Sequence, residues 1–519
     1  MLENIITFFL LLVLCRRNYG VISSFLSGAI GGMDAATLHT VSITLTILLF
    51  GLLFVVFRFF IGKAMPALHD LSLPEVWRSF RQGICLHSVL QLIIGVAVSV
   101  FVGLFLLMGA YCLPTAPIQQ HLKEYIPYPG GSYEGIYPTL SPLFTSTLDG
   151  YTDSLILLQS GDDTEDTLLN KALLVYCGLI RTASDGELDP AQTFSAHYQS
   201  GVPFTKSSAY PRYWHGYLIF TKPLLSLLNF YQLRILNGLA QVLLTLWVCW
   251  LLKRHGLKAY IPAYLLIYLM LMPAALALSL QFSPCYYIAA FSTAALLLMG
   301  RSRAFHYSYL VFLFTGISVA YFDFLTYPLV TFGFPAVFFA LLLRDKPAET
   351  VLGKLVQNGI SWLWGYAGMW ASKWVLATLL TDRNVIQDAF SQARLRSSNA
   401  AAVGAGSLIS HSLIEAIGSN LLTFLFTPFT LILLVFVCYT IYKIRRSAPL
   451  SWSKIQGQLL IYGAVGCLPL LWYSFLANHS LIHYWFTNKA SSVLVLCIVF
   501  SCAAILEQVR QQPSSVPKR

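Results

Sequence analysis

In Leu148-Asp149-Gly150-Tyr151-Thr152-Asp153-Ser154 two carboxylates lie four residues apart. If a helix starts here, Asp149 and Asp153 share one face. Two acids held close in a lowered dielectric retain their protons more tightly, so either can act as a general base near neutral pH. The plainer alternative is a helix-capping aspartate followed by a solvated one. In Tyr210-Pro211-Arg212-Tyr213-Trp214-His215-Gly216-Tyr217, Arg212 and His215 stand among aromatics, suited to a phosphate or a sugar hydroxyl. Aromatics also gather at any membrane interface. Asp323, in Tyr321-Phe322-Asp323-Phe324, and Lys373, in Ser372-Lys373-Trp374, are charges close to hydrocarbon. Such charges mark function, or they pair with each other. His479 and His483 have the i, i+4 spacing of a helical metal pair, but no third ligand is evident, so neither a metal nor another cofactor is expected. Lys489 follows them, and Arg394 and Arg396 lie in an earlier loop. The acidic run Asp162-Asp163-Thr164-Glu165-Asp166 has the charge for a divalent cation, but a solvated turn explains it more simply.

These groups must be positioned by an apolar chain. Of 519 residues, 57% are hydrophobic and only 11% charged, where a soluble domain carries roughly 25%. The apolar residues come in blocks near the ~20 needed to cross a bilayer: 38–61, 86–113, 232–252, 260–279, 284–299, 306–321, 327–343, 357–379, 419–442, 458–476 and 489–506. The expected fold is therefore an all-α polytopic membrane protein of about eleven or twelve spans. The formal charge of +11 is not a nucleic-acid signal, because Lys and Arg cluster in every second short loop. Examples are Arg344, Lys346 and Lys354, or Lys443, Arg445, Arg446 and Lys454. Positive loops are retained in the cytoplasm, which puts residues 114–231 and 381–418 outside.

The chain then divides into an N-terminal anchor or extra span with a cytoplasmic loop (1–85), a transmembrane domain (86–506) and a cytoplasmic tail (507–519). The first outer loop holds half of the 22 acids and starts rich in proline and glycine over 125–142. Residues 155–158 and 168–180 suggest short interfacial helices, as do 216–230, interrupted by Lys222 and Pro223. The small residues 400–407 suggest a hinge in the second loop. Cysteines fall mostly inside apolar blocks without a CxxC pair; a Cys112–Cys177 bridge is conceivable on the outer face, but two unpaired cysteines are the expectation.

Topology sets every candidate group on the outer face. With one large early outer loop, and with the segments YPRYWHGY, YFDFLTYP and NHSLIHYWFTNK, the chain resembles glycosyltransferases of the GT-C superfamily, in an uncharacterised bacterial branch. The resemblance is architectural over 86–506 and local in motif. It implies a multi-pass inner-membrane enzyme of the cell envelope with an extracytoplasmic active site. Such an enzyme takes a polyprenyl-phosphate sugar donor and passes the sugar to a glycan or lipid acceptor, with inversion. Asp149 or Asp153 would be the base, Arg212, Lys373, Arg394 and Arg396 would meet the phosphate, and His479 and His483 would contact donor or acceptor. His215, Asp323 and Lys489 complete the implied substrate site. A lipid-linked sugar flippase or transporter is the rival reading, yet transporters place ionisable groups at mid-membrane. An O-antigen polymerase or ligase is a second rival, but it carries its large loop late in the chain.

Overall fold

The computed structural model describes residues 62–124, 146–181, 186–300, 302–397, 413–447 and 450–511, with shorter pieces elsewhere. The expected span 38–61 is described only in fragments, and residues 1–35 lie outside the described residues. Among the described residues six helices are long and apolar enough to cross a membrane: Leu86–Tyr111, Phe230–Arg254, Leu280–Met299, Arg303–Phe322, Gln456–Phe475 and Tyr484–Gln511. The protein is a mostly helical, polytopic membrane protein.

The remaining apolar blocks are helical but differ from plain spans, each for a local reason. Block 260–279 breaks into Ile261–Met270 and Pro273–Leu278, with Met272 at φ 57°. Pro273 has no N–H to continue the ladder, and its ring collides with the carbonyl one turn back. Block 327–343 forms only the 14 residues Leu329–Leu342, yet every residue except Phe332 is buried. A helix apolar all round sits inside a bundle. Block 419–442 becomes Leu413–Leu425 and Thr430–Arg446, meeting at 89°, with Pro428 at the break. Block 357–379 lies within a 33-residue helix, Ala348–Leu380.

Labels are needed for the elements around the outer face. They are α1 (Leu86–Tyr111), α2 (Gly150–Ser160), β1 (Tyr176–Leu179), β2 (Lys206–Ala209), α3 (Phe230–Arg254), α4 (Ser283–Met299), α5 (Ser308–Phe322), α6 (Ala348–Leu380), α7 (Val385–Ser397) and α8 (Ser492–Gln511). The segment between α1 and α3 is more than a set of interfacial helices. α2 is buried at nine of its 11 positions, so it is an internal helix and not an amphipathic one. Residues 168–180 form the helix Leu168–Leu174 and then β1, which pairs antiparallel with β2. Cys112 is exposed, Cys177 is buried, and both are free. The small-residue stretch after α7 carries a second antiparallel pair, Ala400–Val403 with Ser407–Ser410.

α5 and α6 cross where each carries a glycine. A Cβ at Gly316 would lie 2.0 Å from the Trp362 carbonyl oxygen, and one at Gly365 would lie 2.3 Å from that of Leu313. Small residues allow such backbone approach between membrane helices. Gly365→Ala should therefore lower stability by about 1–3 kcal/mol through overpacking. The check is the melting temperature of the detergent-solubilised protein; an unchanged value would show that the two backbones are not locked here. Polar contacts bind α3 to α4: Asn237 Nδ2 donates to Ser283 Oγ at 2.8 Å, and Thr245 shares a hydrogen bond with Tyr286 at 2.5 Å.

Candidate functional site

Asp149 caps α2. Its carboxylate accepts from the Thr152 N–H at 2.8 Å and the Thr152 hydroxyl at 3.1 Å, as an N-cap should. A third donor is the Gln281 side-chain amide. The backbone N–H of Asp149 in turn donates to Ser279 Oγ at 3.1 Å. One turn later Asp153 accepts from the Leu280 N–H at 2.8 Å, and its other oxygen lies 3.7 Å from the Arg234 guanidinium. The segment 279–282, between the Pro273–Leu278 helix and α4, therefore grips both acids. The sequence alternative was half right. Asp149 is a cap, but Asp153 is not solvated; it has no exposed surface at all.

Burial raises the proton affinity of both acids, Asp149 to about 6 and Asp153 to about 7. For Asp149 the hydrogen bonds from Thr152 and Gln281 pull the other way. For Asp153 the Arg234 charge pulls down, while Asp149 pushes up. Arg234 is held by its own contacts: Nε donates to the Leu278 carbonyl at 2.8 Å, and the guanidinium lies 3.8 Å from the Phe230 ring centroid. It was not among the residues singled out from the sequence. The signal was available, since an arginine within the apolar stretch 232–252 must find a partner.

From the same segment, contacts lead to the last hairpin. Lys489 Nζ sits 4.4 Å from the centroid of Phe282, the neighbour of Gln281. Phe282 packs on Phe486 at 6.3 Å, and Phe486 stacks on His483 at 5.2 Å. His483 lies 4.9 Å from His479, ring to ring. His479 Nε2 donates to the Leu325 carbonyl at 2.8 Å, and Arg396 of α7 approaches its Nδ1 at 3.5 Å. The carbonyl bond fixes the proton on Nε2, so that nitrogen is not offered to a metal. Burial holds both imidazoles neutral, His483 down to about 4 and His479 lower than usual. Leu325 is bent to φ 65° at this contact, the kind of backbone strain that gathers at functional sites.

No compared protein-family model, curated protein or solved structure matches this chain. Its chemistry must be read from its own geometry.

Four sequence candidates prove to be tied up structurally. Lys373 does not pair with Asp323; its Nζ donates to the Ala172 carbonyl at 2.9 Å and lies 5.3 Å from the Trp214 ring centroid. Asp323 accepts from the backbone N–H and hydroxyl of Thr326, closing a local turn, and burial raises it to about 6. His215 has both nitrogens engaged, Nε2 with the Tyr210 carbonyl and Nδ1 with the Tyr217 hydroxyl, each at 2.7 Å. Burial takes its pKa down to about 3, so it is a neutral core imidazole, bent to φ 56°, and not a phosphate contact. Its neighbour Gly216 lets the chain touch α5, because a Cβ there would lie 2.2 Å from the Tyr321 ring. Arg212 holds Asp388 of α7 through two contacts of 2.9 and 3.1 Å. Arg394 is exposed, two residues from Arg396 and so on another face of α7. For Lys373 and Arg212 the partners lie 201 and 176 residues away, beyond any spacing rule, whereas Asp323 and His215 are satisfied by residues within five positions.

Proposed function

We propose that the protein is a membrane glycosyltransferase. It moves a sugar from a polyprenyl-phosphate donor to a cell-envelope glycan or lipid acceptor, on the face that carries residues 114–231. The basic loops on the opposite side make that face extracytoplasmic. The observation that carries the reading is the segment Gln281-Phe282, which holds the Asp149 carboxylate on one residue and the Lys489 ammonium on the next. An acid and a cation more than 300 residues apart in sequence thus contact successive residues of one segment.

The chemistry is one displacement. The acceptor hydroxyl oxygen bonds to the anomeric carbon, the bond from that carbon to the lipid phosphate breaks, and the phosphate leaves with the electron pair. Asp149 takes the hydroxyl proton; with its affinity raised to about 6 it remains largely ionised at neutral pH, yet is basic enough to help. Lys489 faces the charge growing on the departing phosphate, where a fixed cation in a dry site is most effective. Asp153, sealed against Arg234, positions α2 and takes no proton.

The test is transfer in liposomes from a labelled short-chain prenyl-phosphate hexose or pentose. Lys489→Gln should lower kcat by about 100-fold, the scale of losing one charge-stabilising group, with little change in KM. Failure to release prenyl phosphate from any donor would remove the transferase reading.

A further inference from the structure

A cavity of about 500 Å³ lies beneath α7, walled by α6 and by the helix Leu468–Phe475. One face of α6 lines it: Leu363, Tyr366, Ala367, Trp370, Ala371 and Trp374. From Leu363 to Trp374 this stripe runs about 16 Å along the helix axis at 1.5 Å per residue. Leu363 and Phe475 on its rim are 56% and 78% exposed, so in a bilayer the cavity opens sideways into hydrocarbon. Its α6 lining, Leu363 to Trp374, lies in the half of that helix nearer Leu380, away from the basic turn at Arg344 and Lys346.

Two cations line it, Arg212 and Arg396. Arg212 is neutralised by Asp388 at 2.9 Å. Among the described residues Arg396 has no acidic partner within ion-pair distance, only the His479 ring, which burial keeps neutral. The mouth therefore carries one uncompensated positive charge. Two further donors stand idle: the Arg212 Nε–H and the Trp370 Nε1–H are buried without a hydrogen-bond partner among the described residues. Beyond Arg212 the apolar wall gives way to a polar cleft of about 430 Å³, whose lining includes Lys206, Ser207, Ser208, Arg383 and Asn384.

We propose that cavity and cleft together bind an anionic phospholipid from the leaflet at the Leu380 end. One acyl chain lies along α6, a singly charged phosphodiester meets Arg396 with the idle N–H groups of Arg212 and Trp370, and a hydroxyl-bearing headgroup enters the cleft. In the cleft, Lys206 is paired with Glu187 and Arg383 with Asp382 at 3.8 Å, so Arg396 remains the one cation without an acidic partner among the described residues that line cavity and cleft. One such charge matches a phosphodiester, whereas the phosphate monoester of a free prenyl phosphate carries nearly two negative charges and would leave one unpaired. The site requires no turnover, so it stands or falls independently of the transferase reading.

The test uses the full-length protein in phosphatidylcholine nanodiscs, titrated with phosphatidylglycerol bearing brominated acyl chains. Quenching of tryptophan fluorescence should saturate, with at least tenfold preference over brominated phosphatidylcholine, because Trp370, Trp374 and Trp472 line the cavity. Arg396→Gln should erase the preference, and Trp370→Phe should weaken binding several-fold; the second variant keeps ring and packing while removing only the N–H. Equal quenching by both lipids, or a preference that survives Arg396→Gln and Trp370→Phe alike, would overturn the proposal. So would displacement of phosphatidylglycerol by an equimolar amount of farnesyl phosphate.

Discussion

Asp149→Asn should abolish sugar transfer, lowering kcat by about 10²–10⁴-fold, the contribution of a positioned general base, while the protein folds and melts like the parent. Both halves follow from the same geometry. Asparagine caps a helix as well as aspartate does, and its carbonyl oxygen can still accept from the Thr152 N–H. What disappears is a carboxylate able to take a proton. The parent should also show a rate that rises with pH through about 6, where Asp149 loses its proton, and the residual activity of the variant should lack that limb. Asp153→Asn separates base from scaffold: Asp153 has no exposed surface and faces Arg234, so its change should act mainly on stability. If Asp149→Asn keeps full activity, or if both variants lose rate only in proportion to lost folded protein, the assignment of Asp149 as base is wrong.

How much of this was legible in the chain differs between levels. Apolar blocks such as 86–113, 232–252 and 489–506 mark helices within a few residues, because length and hydropathy are local properties. Breaks were harder to place. Pro273 and Pro428 lie inside or beside stretches of unbroken hydropathy, and proline acts on the backbone without altering that average. The pairing of Asp149 with Asp153 on one face was readable from an i, i+4 spacing, and so was the capping alternative. Their partners were not. Gln281, Ser279 and the Leu280 amide lie more than 120 residues away, and nothing in a polar residue near an apolar run says which acid it will meet. The reverse error has the same origin for Lys373, which looks like a site residue by type but is satisfied by the Ala172 carbonyl 201 residues away; His215 is satisfied locally, by the Tyr210 carbonyl five residues back. Arg234 is the exception that local reasoning should catch, since a guanidinium in hydrocarbon cannot stay alone.

Arg234→Met should be the most destabilising substitution at this site. The Arg234 and Asp153 side chains are 3% and 0% exposed, and removing one partner of a buried pair leaves the other charge without compensation, a loss of about 3–5 kcal/mol. The loss should depend on pH with a definite sign. Burial already raises Asp153 from 3.8 to about 7, so the folded state holds its proton more tightly than the unfolded chain does. That advantage is complete below the unfolded value and disappears as pH rises through about 7. Arg234 is the group that pulls this value down, so without it the proton is held still more tightly. The variant should therefore approach the parent at pH 5 and fall furthest behind at pH 8. Thermal unfolding at the two pH values in detergent provides the check. The double variant Arg234→Met with Asp153→Leu should recover most of the loss at pH 8, because replacing a buried pair by apolar groups is often neutral. An equal deficit at both pH values, with no recovery in the double variant, would mean that Arg234 acts through packing on Phe230 and not through Asp153. Recovery of stability without recovery of transfer would locate the pair's purpose: Asp153 then exists to hold the Leu280 amide, and through that segment to keep Gln281 on Asp149 and Phe282 under Lys489.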